Sequence, residues 1–338
     1  MSLLERRALE LVDRILSGPE FKAEPPVLVE VGASGGTNAK WRRLAPYSIC
    51  IAFDPDTRAM QAVHAETSGY RKLHVVPAAA AADDVTEAEF HLTRSPYCSS
   101  RLRPDAAALG NWSFARLFDV ERTVRVPCIG LQKALEQAGV SRVDWFKSDS
   151  QGTDLRLFQS LGETLCLRVL AVEFEPGIID AYEGEDKLSS VLAAMDRPEF
   201  WLCDLDVRGT LRMSPEEAGR LEDGRTGLLS RVLRSAPGWG EMTYLNTFHG
   251  PGPFSKRDWL LGWVIASTRE QHGFALDLAR RASAATSEAV FGELARESER
   301  IIRKKLRRSE TGHRVRIALR GLRSMARRVL KGPPPKQD

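Results

Sequence analysis

The sequence is poor in cysteine, and the cysteines that it has are scattered. Five of its 338 residues are cysteines, at positions 50, 98, 128, 166 and 203, and none of them forms a CxxC pair. An odd number at such wide spacing argues against a disulfide framework and against a structural zinc site. We therefore expect the protein to work in a reducing compartment.

Long apolar runs are lacking as well. The longest strongly apolar run extends from Trp259 to Ala266 and is far too short to cross a bilayer. The first residues, MSLLERRALELVDRILSG, carry acids and arginines within an apolar stripe, so we assign residues 1–26 to an N-terminal amphipathic helix and not to a signal peptide. The apolar fraction of 43% and the charged fraction of 28% are those of an ordinary soluble protein, which we expect in the cytoplasm.

Basic residues do not outnumber acids until the end of the chain. From Arg300 onward fourteen Lys and Arg stand against two acids, a net charge of +12. The whole chain has a net charge of +4, so the first 299 residues carry 4 − 12 = −8. An acidic body of this kind offers no basic face for nucleic acid, and we predict no specific nucleic-acid partner.

The stretch from Val27 to Asp56 is the most informative part of the sequence. Val27 to Val31 is aliphatic on both faces apart from one acid, as a strand buried in a parallel sheet requires. A glycine-rich turn follows, and a second apolar strand, Ile49 to Phe53, ends at Asp54. Asp54 lies 54 − 32 = 22 positions after Gly32, a spacing at which a carboxylate can accept hydrogen bonds from ribose hydroxyls.

The glycine fingerprint of a dinucleotide site is missing from this turn. Its three glycine positions are here Gly32, Ser34 and Thr37, so two of the three glycines are absent. Glu30 would repel a pyrophosphate but suits a ligand with an ammonium and a sulfonium group, and the acid-x-Gly-x-x-x-Gly pattern resembles the first motif of S-adenosylmethionine-dependent methyltransferases. A nicotinamide cofactor and a turn in which the acids only cap helices stay as alternatives. The predicted cofactor-binding residues of this stretch are Glu30, Gly32, Ser34, Gly35, Gly36 and Asp54.

Strand and helix signals alternate from about residue 27 to residue 203. This alternation predicts an α/β fold with a doubly wound, mostly parallel Rossmann-like sheet. We assign residues 27–252 to the methyltransferase-like domain, 253–312 to a helical extension and 313–338 to a basic amphipathic tail.

Acidic residues stand at four predicted strand ends. They are Glu30, Asp54, Asp149, and Glu173 with Glu175. The carboxyl ends of parallel strands meet at one edge, where such sheets bind ligands, so we expect these side chains to surround a cationic cofactor. Lys147 lies inside the apolar strand before Asp149 and needs a partner, which we expect to be Asp149, or else Glu173 or Glu175. A purely structural ion pair is the alternative.

Two longer segments resemble the FkbM-type S-adenosylmethionine-dependent methyltransferases. The segments are VDWFKSDSQGTDLRLFQSL, from Val143, and VLAVEFEPGIIDAY, from Val169. Four features carry the resemblance. They are a strand that ends in Lys-x-Asp, a Gln-Gly turn, an acid-Leu helix start and a Glu-bearing strand that leads to a Tyr. Those positions are Lys147, Asp149, Gln151, Gly152, Asp154, Leu155, Glu175 and Tyr182, and Ser99 and Ser100 resemble the family's serine pair.

This resemblance implies roles for several side chains. Asp149 is the expected base or acceptor-orienting group, with Lys147 holding it and Glu175 sharing its work, while His91 is the alternative base. Ser99 and Ser100 are expected to contact the cofactor or the acceptor hydroxyls, or else to serve the loop alone. Oxygen ligands for magnesium exist in Asp149, Asp154 and Glu175, but no ligand loop is recognisable, so we favour a reaction without a metal.

The basic tail has a pattern of its own. From His313 to Lys331, apolar residues fall on one stripe of a helix and Arg and Lys occupy most of the rest. A basic amphipathic helix suits an anionic membrane surface, so peripheral attachment to the inner face of the membrane is expected. Docking on the acidic body and non-specific binding of nucleic acid are the alternatives.

The predicted function is transfer of a methyl group from S-adenosylmethionine to a hydroxyl of a saccharide, glycolipid or related natural product. A nicotinamide-dependent, sugar-modifying oxidoreductase and a non-catalytic scaffold with a membrane- or partner-binding tail are the alternatives. The acceptor's identity and the oligomeric state cannot be inferred from the sequence.

Overall fold

The computed structural model describes residues 3–33, 39–55, 69–222, 227–250 and 253–330, with the side chains of residues 9–309 within these ranges. The chain divides into two units. One unit comprises residues 13–261, and the other comprises residues 1–12 together with 262–338.

The described residues form ten strands. In chain order they are β1 (Val27–Val31), β2 (Ile49–Phe53), β3 (Lys72–Val76), β4 (Ala79–Ala81), β5 (Glu87–Thr93), β6 (Val120–Gly130), β7 (Trp145–Ser148), β8 (Ala171–Phe174), β9 (Phe200–Thr210) and β10 (Ala236–Asn246).

Seven of these strands make the central sheet, in the order β3-β2-β1-β7-β8-β10-β9. The pairs β3–β2, β2–β1, β1–β7 and β7–β8 are parallel, whereas β10 runs antiparallel to β8 and β9. The predicted doubly wound, mostly parallel α/β fold is therefore confirmed. The chain leaves β1 toward β2 on one side and returns to β7 on the other, so the crevice for a ligand lies beyond the ends of β1 and β7.

Strand β10 was not predicted. It contains Pro237, Gly238 and Gly240, and proline and glycine are depleted in strands because proline lacks an N–H group and glycine lacks a side chain to pack. Its apolar second half is buried between β8 and β9, where tertiary packing outweighs the weak local preference. The antiparallel edge of the sheet was therefore hidden from the sequence pattern.

A smaller sheet joins β4, β6 and β5 in that order. Its strand β6 pairs in parallel with β4 and antiparallel with β5. A separate apolar cluster of Ala79, Phe90, Leu92 and Val126 holds it together. The segment from Pro96 to Phe118 then follows β5 with two 3₁₀ turns, Pro96–Cys98 and Ala115–Phe118, around the short helix Ala106–Leu109.

One face of the central sheet is covered by helices with apolar stripes. Helix Leu131–Ala138 buries four residues spaced i, i+3, i+4 and i+7, and it stops before Gly139, which has a φ of 71°. The core on this face includes Val29, Phe146 and Phe174 from the sheet. The helices of the unit of residues 13–261 are Pro19–Ala23, Ala106–Leu109, Leu131–Ala138, Asp154–Ser160, Glu163–Cys166, Leu188–Met195, Pro215–Glu222 and Leu228–Val232, with further 3₁₀ turns at Ala39–Trp41 and Ala45–Tyr47.

The second unit is helical, as the predicted C-terminal extension requires. Helices His272–Thr286 and Ala289–Leu330 pack against each other, and Trp263 donates a hydrogen bond from Nε1 to Ser298 Oγ at 2.9 Å. The division between the units falls within helices Leu3–Leu16 and Lys256–Thr268. Helix Ala289–Leu330 continues through residue 313, where we placed the start of the tail, and that boundary stays a prediction. Within the described ranges no helix is both long and apolar enough to cross a membrane.

Candidate active site at the carboxyl edge of the sheet

The end of β1 lies directly against the end of β7. Gly32 adopts a φ of 78°, and its N–H and that of Ala33 both donate to Phe53 O, at 3.0 and 3.1 Å. A Cβ atom on Gly32 would lie 2.1 Å from the backbone oxygen of Asp149, so only glycine fits here. Gly32 thus brings the turn after β1 close to Asp149. The predicted residues Ser34, Gly35 and Gly36 lie outside the described residues.

A cleft of about 660 Å³, which includes its open mouth, lies at this edge. Gly32, Asp54, Ser99 and Asp149 line it among the predicted site residues, whereas Glu30, Lys147 and Glu175 do not. Its apolar lining includes Val31, Phe53, Ala79, Ala80 and Phe90.

The cleft suits the predicted cofactor. The carboxylate of Asp54, which is 3% exposed, follows β2 directly, where a ribose diol needs an acceptor. The apolar residues beside it can cover an adenine ring, and the carboxylate of Asp149 can lie near a cationic group. The donor set and the shape therefore fit S-adenosylmethionine.

Glu30 and Lys147 form a buried ion pair. They are register partners on β1 and β7, and Lys147 Nζ lies 3.2 Å from Glu30 Oε1. Burial lowers the pKa of Lys147, but attraction to Glu30 and Asp149 outweighs it and raises that pKa above its usual value. Our prediction that Asp149, Glu173 or Glu175 would be the ion-pair partner of Lys147 is wrong, because β1, not β8, supplies the carboxylate in contact with it.

Glu173 belongs to the same row of the sheet. It is the register partner of Lys147 on β8, and its carboxylate accepts hydrogen bonds from Lys40 Nζ at 2.6 Å and from Trp145 Nε1 at 3.0 Å. Glu30 and Glu173 are 1% and 5% exposed. We call Lys40, Glu30, Lys147 and Glu173 the charged layer. It lies on one face of three neighbouring strands and ties together the elements that end at the cleft.

Asp149 is positioned by the turn that follows β7. Its backbone N–H donates to Val31 O at 3.0 Å, and its carboxylate accepts a hydrogen bond from Gln151 Nε2. Gln151 has a φ of 58°, and its Oε1 lies 2.8 Å from the hydroxyl of Tyr182, which can donate to it. Gly152 then has a φ of 106°, where a Cβ atom would lie 2.9 Å from Glu185 Cβ. The Gln-Gly turn therefore aims an amide at the carboxylate of Asp149.

The two serines of the predicted pair face different partners. Ser99 lines the cleft, and its Oγ accepts a hydrogen bond from the N–H of Thr93 at 3.1 Å. Ser100 Oγ donates to Gln151 O at 2.7 Å and accepts from Leu102 N at 3.0 Å. Ser100 is fully buried, so the structure uses its hydroxyl to hold the Gln-Gly turn.

Asp154 is a buried structural carboxyl. It accepts hydrogen bonds from Ser148 Oγ, Ser150 Oγ, Ser150 N and Glu175 N, at 2.5 to 3.0 Å, and so joins the ends of β7 and β8. Burial and repulsion from Asp149 raise its pKa despite these donors. Across the residues that the structure describes, no three His, Cys, Asp or Glu side chains gather as metal ligands would.

Glu175 has a strongly raised pKa. Burial, followed by repulsion from Asp149, raises the pKa of Glu175 to about 9 against the attraction of Lys147. A carboxyl with such a pKa keeps its proton at neutral pH and cannot act as a base there. His91, the alternative base, lies elsewhere: its Nδ1 is 3.1 Å from Thr123 Oγ1, and it is absent from the cleft lining.

Several residues that line the cleft were not predicted from the sequence. They include Tyr97, which is 67% exposed, Arg101 and Thr153. Arg101 follows the serine pair directly, and Thr153 lies between Gly152 and Asp154 of the predicted motif. Their positions beside predicted motif residues were the available signal.

The middle of the chain is similar to a known methyltransferase family. Residues 30–195 match the family model described as Methyltransferase FkbM domain, which confirms the resemblance seen in the motifs. No curated protein matches the chain. Among solved structures, the crystal structure of precorrin-6y C5,15-methyltransferase from Geobacter metallireducens GS-15 is similar at 9% identity and a TM-score of 0.30, covering 70% of this chain and 87% of that one.

Proposed function

We propose that the protein transfers a methyl group from S-adenosylmethionine to a hydroxyl of a saccharide, glycolipid or related natural product, because residues 30–195 match the family model of the FkbM methyltransferase domain. The observation that carries this proposal is the cleft beyond β1 and β7, which has Asp54 on one wall and Asp149 on another. A cationic, ribose-containing cofactor fits between these carboxylates and the apolar lining.

The cofactor would be held by residues from the ends of three strands. Gly32 would allow close approach to the backbone after β1, Asp54 after β2 would accept hydrogen bonds from the ribose hydroxyls, and Ala79 and Ala80 of β4 would border the adenine. S-adenosylmethionine, when bound, supplies an electrophilic methyl group on a sulfonium. Glu30, one residue before the end of β1 and paired with Lys147, remains our proposed attraction for the ammonium group of its amino-acid end.

Asp149 is the proposed acceptor of the hydroxyl's proton. A hydroxyl becomes a good nucleophile only as its proton is taken up, and the carboxylate of Asp149 lines the cleft and is held by a hydrogen bond from Gln151. Gln151 fixes that orientation through its amide, which is in turn oriented by Tyr182. Glu175, with its raised pKa, serves as a protonated neighbour.

Lys147 acts at a distance from the acceptor. Its ammonium group pairs with Glu30 and lowers the cost of a negative charge on Asp149 nearby. The pair also fixes the register of β1 against β7, on which the contact between Gly32 and Asp149 depends. Lys147 is therefore a positioning residue in this proposal.

Calorimetric titration tests the cofactor assignment. S-adenosylhomocysteine should bind and NAD should not, and Asp54→Ala should weaken the binding of S-adenosylhomocysteine by about 1–3 kcal/mol because a buried acceptor is lost. Asp119→Ala is the matched control, since Asp119 is exposed and outside the cleft. Heat from NAD alone would favour the oxidoreductase, and silence from both ligands would favour the scaffold.

We further propose that the tail attaches the enzyme to anionic membrane. The backbone of residues 313–330 is helical, and the sequence places basic and apolar residues on different stripes of that helix. Full-length protein should sediment with vesicles of phosphatidylglycerol and phosphatidylcholine, and a chain that ends at residue 312 should not. Equal sedimentation of the two chains would contradict this attachment.

A further inference from the structure

A second cavity lies beside the cofactor cleft. It measures about 900 Å³, including its open mouth, and its lining comes from the bend after β4, from β5 and from helix Asp154–Ser160. The polar and charged residues of the lining are Asp83, Glu89, His91, Arg101, Thr153 and Arg156. Nothing in the cofactor assignment uses this cavity.

Two residues belong to both spaces. Arg101 and Thr153 line the cleft that contains Asp149 and also line the second cavity. The Nε atom of Arg101 is buried without a hydrogen-bond partner among the described residues, although its Nη1 lies 3.2 Å from Asp83 Oδ1. A buried donor without a partner is costly unless a ligand or water satisfies it. The junction between the two spaces therefore has an unused donor.

The cavity wall carries charges of both signs. Asp83 stands beside Arg101, and attraction to both Arg101 and Arg156 contributes to holding the pKa of Asp83 low against the opposing effect of burial. Arg156 itself pairs with Asp186 through Nε and Nη2, at 3.1 and 2.8 Å. With Glu89 added, the lining contains two guanidinium groups and two carboxylates. The wall has no excess of positive charge for a phosphate or carboxylate.

A wall of this kind matches hydroxyl groups. Each hydroxyl can accept a hydrogen bond from a guanidinium and donate one to a carboxylate, and both planar groups can bridge neighbouring hydroxyls. A phosphate or uronic acid would instead meet Asp83 and Glu89, with repulsion that the two arginines, already paired, only balance. The complementary ligand is therefore a neutral polyol.

We infer that this second cavity is the acceptor site, that it takes a neutral saccharide with vicinal hydroxyls, and that the accepting hydroxyl passes between Arg101 and Thr153 toward Asp149. The inference rests on the proposed methyl transfer, because it needs a cofactor in the neighbouring cleft. Arg101 determines specificity at the junction, and Arg156, Asp83 and Glu89 bind the hydroxyls that lie farther from Asp149.

A bulky substitution can fill the second cavity without changing the cofactor cleft. Ala82 is exposed on the rim of the second cavity and is not in the lining of the cleft, so Ala82→Trp fills the one space and leaves the other unchanged. Ala107→Trp is the matched control, because Ala107 is an exposed alanine outside both linings. Glu89→Gln, also at an exposed position, is a second variant that keeps the shape and removes one acceptor charge.

Saturation-transfer difference NMR on the full chain, with and without S-adenosylhomocysteine, tests the inference. The probes are methyl glycosides of glucose, galactose, mannose and rhamnose, with glucose 6-phosphate and glucuronate as anionic counterparts. At least one neutral glycoside should give a signal that Ala82→Trp reduces by about tenfold and Glu89→Gln reduces by a smaller factor, while Ala107→Trp leaves it unchanged. Binding of S-adenosylhomocysteine should be the same in all four proteins.

Several outcomes would overturn the inference. They are silence from every neutral glycoside, binding of the anionic probes alone, or a neutral signal that survives Ala82→Trp. Any of these with normal binding of S-adenosylhomocysteine leaves the methyltransferase proposal intact. If the unaltered protein does not bind S-adenosylhomocysteine, the cofactor assignment is contradicted instead. The glycosides are also tested without S-adenosylhomocysteine, so this result is distinguishable from failure of the acceptor site.

Discussion

Two regions of this protein use the same ion chemistry in opposite surroundings. In the charged layer, the side chains of Lys147 and Glu30 are 17% and 2% exposed and lie inside the sheet. In the helical unit, Lys305 and Glu270 lie at a similar separation, 2.9 Å, but their side chains are 54% and 78% exposed. The difference in burial decides what each pair can do for the fold.

An exposed ion pair adds little free energy of folding, because each charge only exchanges water for its partner. A buried charge that loses its partner has no water to solvate it, so breaking the pair is costly. The charged layer is thus a poor source of net stability and a strong determinant of register, because any slip of β1 against β7 breaks the contact between Glu30 and Lys147. The surface pairs can form and break without moving the backbone. Substitutions in the two regions should therefore differ in size and in sensitivity to salt.

Lys147→Met should have the largest effect on stability. It leaves Glu30 buried without its counter-charge, and we expect the free energy of unfolding to fall by about 3–5 kcal/mol in urea denaturation at pH 7.5. The double variant Glu30→Gln with Lys147→Met removes both charges and should recover at least half of the loss. If the single and double variants are equally stable, the pair does not hold the strands together.

Asp149→Asn should have the largest effect on turnover. Asparagine keeps the size of the side chain and an oxygen that can accept from Gln151, but it cannot take up a proton. We expect the transfer of labelled methyl groups to a pool of saccharides and glycolipids to slow by about 10²–10⁴-fold, the usual contribution of a general base. The affinity for S-adenosylhomocysteine, measured by calorimetry, should remain within about twofold. A normal rate would remove Asp149 from the mechanism.

The contrast between buried layer and open cleft also shows how far the sequence can be interpreted. The strands Val27–Val31 and Ile49–Phe53, the glycine at 32 and the need of Lys147 for a partner all follow from local patterns, and the structure confirms them. Which carboxylate pairs with Lys147 depends on β1 and β7 being neighbours. That is a property of strand order, which local patterns do not contain.

The acids at the strand ends show why the sequence does not predict the position of each single side chain. Glu30 and Glu173 lie one residue before the end of their strands and join the charged layer, whereas Asp54 and Asp149 come directly after theirs and line the cleft. Side chains alternate between the faces of a strand, so an error of one residue in the strand end exchanges the two groups. Strand ends cannot be located that closely from sequence.

Glu175→Gln should change how stability depends on pH. The folded protein holds the proton of Glu175 up to a pKa of about 9, while the unfolded chain releases it near 4.5. The stabilising contribution is therefore fully present below about pH 4.5 and is lost as the pH rises toward 9. Glutamine mimics the protonated form, so the variant should equal the unaltered protein in stability at pH 4.5. Above that pH it should become more stable than the unaltered protein by up to about 1.4 kcal/mol per pH unit until about pH 9.

Thermal or urea unfolding at intervals of half a pH unit measures this dependence. Glu183→Gln is a suitable control, since Glu183 is an exposed carboxyl close in the chain to this edge. Parallel pH profiles for the unaltered protein and Glu175→Gln would show that Glu175 titrates normally. It would then be available as a second base beside Asp149.

Lys305→Ala should have the smallest effect and so complete the comparison. The hydrogen bond from Lys305 is the first cause of the lowered pKa of Glu270, but both side chains are mostly exposed, so solvent screens the attraction. We expect the free energy of unfolding to fall by less than about 1 kcal/mol at low salt and to be unchanged at 0.5 M NaCl. The lowered pKa of Glu270 adds stability only above about pH 4.5, so this small effect should vanish as the pH falls below that value. A loss as large as that of Lys147→Met, persisting in salt, would mean that burial does not set the difference between the two regions.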